Sequence, residues 1–123
     1  GWGRLFIRKG WSDPEPTGTW TMGQRAWLYL PHLPASPPSV KIRLWLTPII
    51  GPQGKQTLEI FHSNKRLGSW GFLEPRRYSV EFVTDLPAQL ELVVGQTVQP
   101  SALGGQDLRP LGIFLHSLEV VRP

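Results

Sequence analysis

Ser39-Val40-Lys41-Ile42-Arg43-Leu44-Trp45-Leu46 has the clearest period of two in this 123-residue chain. Val40, Ile42, Leu44 and Leu46 fall on one side, and Lys41, Arg43 and Trp45 on the other. Successive side chains of a strand point to opposite faces, so the spacing predicts a strand with one buried and one outer face. Trp45 is then either an outer aromatic or is packed beneath a further layer.

The same signature recurs in both directions from this stretch. Gln24 to Leu30 alternates, with Ala26, Leu28 and Leu30 opposing Arg25, Trp27 and Tyr29. Gln56 to Ser63 places Leu58, Ile60 and His62 against Thr57, Glu59 and Phe61, and Asn64-Lys65 reads as a tight turn into a returning strand, Arg66 to Phe72. Gly68 and Gly71 in that strand suggest a bulge or a close backbone approach. Arg76 to Val83, Gln89 to Val94 and Leu111 to Val121 continue the series, the last with Ile113, Leu115 and Ser117 opposing Phe114, His116 and Leu118. Arg4 to Arg8 is a further short candidate near the start. Short strands at intervals of about ten residues predict an all-β fold, a single antiparallel β-sandwich.

Composition agrees. Thirteen glycines and thirteen prolines call for many turns and few helices. The length suits one domain, residues 1–123, able to bury roughly two thirds of its unfolded surface. The chain reads as a domain of a longer protein, whose compartment it would follow. The net charge of +4 comes from scattered basic residues in runs of no more than two, which argues against a nucleic-acid partner. No stretch approaches the length of apolar sequence that spans a membrane. Without cysteine there is no disulfide, thiolate nucleophile or zinc–sulfur site.

Catalysis needs placed partners, and the sequence supplies none. It has no Gly-x-Ser-x-Gly elbow, His-Glu-x-x-His or Gly-x-Gly-x-x-Gly, and Gly54-Lys55 lacks the spacing of a phosphate loop. His62-Ser63 and His116-Ser117 are neighbours on predicted strands, so their side chains point to opposite faces. Asp13, Glu15 and Asp107 are oxygen ligands of the type calcium takes, but their spacing matches no calcium loop, and no cofactor is expected.

The stretch that draws a functional reading is Gly10-Trp11-Ser12-Asp13-Pro14-Glu15-Pro16-Thr17-Gly18-Thr19-Trp20-Thr21. Two prolines stiffen it, and it sets two indoles beside two carboxylates ahead of a strand beginning near Gly18. A rigid loop with aromatic faces and a carboxylate can hold a ligand, and it can equally plug the end of a sandwich.

Gly10-Trp11-x-x-x-Glu15-x-x-Gly18-x-Trp20-Thr21-x-Gly23, then Asn64-x-x-x-Gly68-x-Trp70, then Asp107-x-Arg109-x-Leu111-Gly112 together resemble a family of β-sandwich accessory domains. These occur, often C-terminally, in bacterial glycosyltransferases and surface-polysaccharide enzymes, and the likeness covers nearly the whole chain. Two positions depart from the pattern: Lys65 stands where the turn usually carries glycine, and Pro16-Thr17 where an aromatic is frequent. The resemblance implies a jelly-roll-like fold and a non-catalytic carbohydrate-binding role, holding a glycan or polysaccharide beside a parent catalytic domain. Trp11, Glu15 and Trp20 would then meet Asp107 and Arg109 at one end of the sandwich. A plainer reading makes Glu15 and Arg109 an ion pair over a buried Trp20. The alternative function is a structural or docking domain that uses Trp27, Tyr29 and Trp45 as one face.

Overall fold

The alternating stretch is the long strand β3 (Ser39–Pro48), with Val40, Ile42, Leu44 and Leu46 all buried. A computed structural model describes residues 9–13, 15–34, 37–100 and 109–121, so the candidate strand at Arg4 to Arg8 lies outside the described residues. Around β3 stand β1 (Thr19–Met22), β2 (Arg25–Leu30), β4 (Gln56–His62), β5 (Lys65–Phe72), β6 (Tyr78–Asp85), β7 (Ala88–Val94) and β8 (Leu111–Val121). They form two four-stranded sheets, β1-β8-β3-β6 and β2-β7-β4-β5, and every neighbouring pair is antiparallel. Eight strands in this order make a jelly roll, with no α-helix among the described residues.

The core is what the period of two delivers. Leu28 and Leu30 from β2, Leu58 and Ile60 from β4, and Leu90, Leu92 and Val94 from β7 close on the inward side of β3 and β8. At about 25 cal/mol per Å² of apolar surface, each fully covered leucine or isoleucine contributes about 1.5–3 kcal/mol.

Two boundaries differ from the sequence reading. The β4–β5 turn is Ser63-Asn64, one residue earlier than expected: both have positive φ (50° and 68°), and His62 pairs with Lys65. A two-residue hairpin of this kind needs both central residues in the left-handed region, and Asn64 takes the second place rather than the first. The other difference is in β8. Leu46 pairs with Leu115 but Trp45 with Ser117, leaving His116 as an extra residue on β8. That bulge shifts the pleat by one, so Leu118 and Val120 pack against the core in place of Ser117.

Of the two glycines of β5, Gly68 marks both features expected there and Gly71 neither, since it pairs regularly with Thr57 and a Cβ on it would meet nothing within 4 Å. The ladder slips between Ile60 and Phe61, opposite Gly68 and Arg66. A Cβ on Gly68 would collide with the Trp70 indole, which lies over that backbone.

Candidate functional site

The Trp11–Trp20 segment is held to β1 by its own backbone. Met22 N–H donates to the Gly10 carbonyl (2.7 Å), and Ser12 N–H to the Trp20 carbonyl (2.9 Å). Buried Ser12 completes the seam: its hydroxyl accepts from Trp20 N–H (3.1 Å), while the Thr19 hydroxyl donates to the Ser12 carbonyl (2.9 Å). The chain then folds back in a short turn. Glu15 and Gly18 exchange backbone hydrogen bonds (2.7 and 3.2 Å) around exposed Pro16-Thr17. Proline suits the first central position of such a turn because its φ is already set. Gly18 has φ of 152°, and a Cβ there would strike the Leu115 carbonyl and approach Phe114 Cε2 to 2.7 Å. Only glycine lets the turn lie this close to β8.

The two indoles take opposite sides of β1. Trp11 is bridged to Thr21, packs against the hydrophobic core, and donates its indole N–H to the Trp27 carbonyl of β2 (2.8 Å). Trp27 N–H in turn donates to the Lys9 carbonyl (3.0 Å). Residues 9–11 therefore stitch the two sheets together along the β1/β2 edge. Trp20 faces outward and meets the ring of Phe114 edge-on, 4.8 Å between centroids. Phe114 meets His116 in the same manner at 5.0 Å. His116 Nε2 lies 2.7 Å from the Thr47 hydroxyl, which fixes the imidazole across β8 and β3.

This outer face of β1-β8-β3-β6 continues across β3. The Trp45 indole N–H donates to Glu119 (2.9 Å), and the Arg77 guanidinium stands 5.1 Å from the Trp45 ring centre. Arg43 is shared between Glu81 (2.7 Å) and Glu119 (3.2 Å), with Lys41 3.4 Å from Glu81. The indole hydrogen bond and Arg43 hold the Glu119 carboxyl below its ordinary range, and Arg43 does the same for Glu81. His116 is lowered from its ordinary value by burial first and by the Arg77 charge second, while a hydrogen bond with the Thr17 backbone pulls the other way.

Of the five residues picked from sequence, the structure sets Glu15 and Trp20 by the same edge of the first sheet. Trp11 lies on the core side of that edge. Arg109 sits just ahead of β8, where the Pro110 carbonyl accepts from Gly23 N–H (2.9 Å), at the far end of β1 from the Glu15 turn. Asp107 lies outside the described residues. No ion pair joins Glu15 to Arg109 among the described residues. The proposed docking face is also divided. Trp27 and Tyr29 are on the outer side of β2 and Trp45 on the outer side of β3, so they belong to different sheets and look away from each other. Sequence reading missed Phe114 and His116 as neighbours of Trp20, although their spacing from Leu111 put them on the outer side of the last strand. Among the described residues no group of three or more His, Asp or Glu side chains is placed to hold a metal ion, and no helix is long and apolar enough to cross a membrane.

No protein-family model matches the sequence, and no curated protein matches it. Solved structures do share its fold. The carbohydrate-binding module CBM36 in complex with calcium and xylotriose superposes at a TM-score of 0.54 with 11% identity, covering 94% of this chain and 92% of that one. CBM51 from Clostridium perfringens GH95 in complex with methyl-galactose gives 0.50 with 14% identity over 94% and 79%. The secreted serine protease VesC from Vibrio cholerae gives 0.56 with 11% identity, this chain matching 94% of its own length but 23% of the protease. At these identities the likeness is one of fold: this chain shares the β-sandwich found in carbohydrate-binding modules and in part of a secreted enzyme.

Proposed function

We propose that this domain is a non-catalytic carbohydrate-binding module, and that its ligand lies on the outer face of the first sheet against Trp20. The observation that carries the reading is the edge-to-face series Trp20, Phe114 and His116, fixed by Thr47 and bordered by the exposed Glu15 turn. Sugars present apolar C–H faces that lie on an indole, surrounded by hydroxyls that carboxylate and guanidinium groups bind. Covering about 100 Å² of one indole contributes about 2.5 kcal/mol before the costs of association. Glu15 supplies an acceptor at the near rim, while Arg109, at the other end of β1, stands outside this set of contacts. Trp11 supports the site from the core side. Binding of this kind is weak, about millimolar to micromolar, and suits a module tethered beside a catalytic domain that raises its effective concentration. The glycosyltransferase and surface-polysaccharide enzymes that the sequence motifs resemble are the proposed parents, and the fold likeness to sugar-bound modules supports the choice of ligand class.

The test is a glycan array, including xylotriose and methyl galactoside, probed with the domain and with Trp20→Ala. Binding by the parent domain, weakened about tenfold or more in a variant with an unchanged circular-dichroism spectrum, is the expected result. Equal binding by the folded variant would remove the Trp20 face as the site, and silence on all glycans would remove the module reading.

A further inference from the structure

At the end of the sandwich formed by the β3–β4 connection and the segment after β7, a cleft of about 480 Å³ opens between residues 52–53 and 96–99. Its size is within the range of small-molecule sites. Three glutamines, Gln53, Gln96 and Gln99, and Thr97 line it, with Pro52 and Pro110 as apolar walls and buried Val98 beneath. None of the described lining side chains carries a charge, and Arg109 directly precedes Pro110.

The cleft is built rather than incidental. Gln56 is 1% exposed, and all of its amide is used to position the rim. Its Nε2 donates to the Gln96 carbonyl (2.7 Å) and the Ile49 carbonyl (3.3 Å), and its Oε1 accepts from Gln96 N–H and Thr57 N–H (3.0 Å each). Val98 and Leu111 exchange backbone hydrogen bonds (2.7 and 3.0 Å), which fixes the other wall. Gly54 N–H donates to the Gly51 carbonyl (2.9 Å), closing the turn that carries Pro52 and Gln53. Across the mouth, Gln96 Nε2 donates to Gln53 Oε1 (2.6 Å). A primary amide has two donors and two acceptor sites, so this bond leaves further capacity on both side chains.

We propose that this cleft is a second saccharide subsite, distinct from the Trp20 face, an inference that rests on the reading of the domain as a carbohydrate-binding module. A sugar hydroxyl both donates and accepts, and a glutamine amide offers the complementary pair from one planar group. Proline rings supply C–H surface for the apolar face of a pyranose.

The test titrates the domain with glucose, galactose, xylose and N-acetylglucosamine oligomers, following side-chain amide resonances by proton–nitrogen correlation spectra. A bound sugar should shift the amides of Gln53, Gln96 and Gln99. In a Gln53→Ala/Gln99→Ala double variant, whose sites are exposed, that affinity should fall about tenfold while the melting temperature holds; Trp20→Ala should leave the shifts in place. Sugar-induced shifts confined to Trp20 and Phe114 would overturn the subsite and keep the module reading. An absence of shifts anywhere with every sugar would overturn both.

Discussion

Trp11 and Trp20 leave the same loop and flank the same hairpin, yet they finish on opposite sides of β1. Trp11 lies across from Thr21, whose side chain is buried, and its ring inherits the inward direction. Trp20 precedes Thr21 by one residue and is turned out by the pleat. The inward indole is fully committed, with its ring on the core and its N–H on the Trp27 carbonyl. The outward one touches Phe114 by an edge, which keeps part of the ring for something else. An aromatic-rich loop is therefore not one surface, and what each ring can do follows from which side of a single strand it occupies.

The difference should be largest in stability. Trp11→Ala removes a ring packed between two sheets and orphans the Trp27 carbonyl, and should destabilise the domain by about 3 kcal/mol, whereas Trp20→Ala should cost about 1 kcal/mol. Urea unfolding of the two variants decides it. Equal losses would mean that Trp11 does not seal the seam and that the contrast between the two rings is mistaken.

How much of this could be read beforehand depends on the distance over which each feature is determined. The strand at Ser39–Leu46 was legible because its period is local and uninterrupted. The phase of β8 was not: Phe114, His116 and Leu118 alternate as well as Ile113, Leu115 and Ser117, and only pairing with β3 shows that His116 is an extra residue. Trp45 was legible as an outer aromatic, but its separation from Trp27 and Tyr29 was not, because strand spacing does not say which sheet a strand joins. Trp20 was picked out by type, and its neighbour Phe114, more than ninety residues on, was invisible until β1 and β8 paired. The glutamine cleft had no signal at all, since its walls come from two connections separated by β4–β7 and no motif marks a neutral amide.

The outer face next to Trp20 also differs from the seam in carrying titrating groups, and this gives a smaller test. Burial and Arg77 favour neutral His116 in the folded state, so its folded pKa lies below the ordinary 6.5 of the unfolded chain. The unfolded chain then binds the proton more readily, and the stabilisation is complete above pH 6.5 and is lost as pH falls through the folded value. His116→Gln should flatten the stability profile in that window while leaving the limb below it intact. A profile unchanged by the substitution would show that the Phe114–His116–Thr47 contacts do not hold the neutral ring.

The smallest effect belongs to the far end of the same face. Glu81 and Glu119 are both held below their ordinary 4.5, Glu81 chiefly by the hydrogen bond from Arg43 and Glu119 chiefly by that from Trp45. Lowered carboxylates stabilise the fold above pH 4.5, and the contribution disappears as acid protonates them in the native state. Because the pairs are open to solvent, salt should weaken them further, and exposed ion pairs of this kind are worth little individually. Glu119→Gln leaves Arg43 its bond to Glu81 but weakens the acceptor for the Trp45 indole, so it should soften the acid limb below pH 4.5 and free the Trp45 ring. Trp45 fluorescence followed through an acid titration separates the two parts: a change near the carboxylate range in the parent domain, lost in Glu119→Gln, places Trp45 under the control of Glu119. Identical titrations would leave Arg77 as the group that sets the ring.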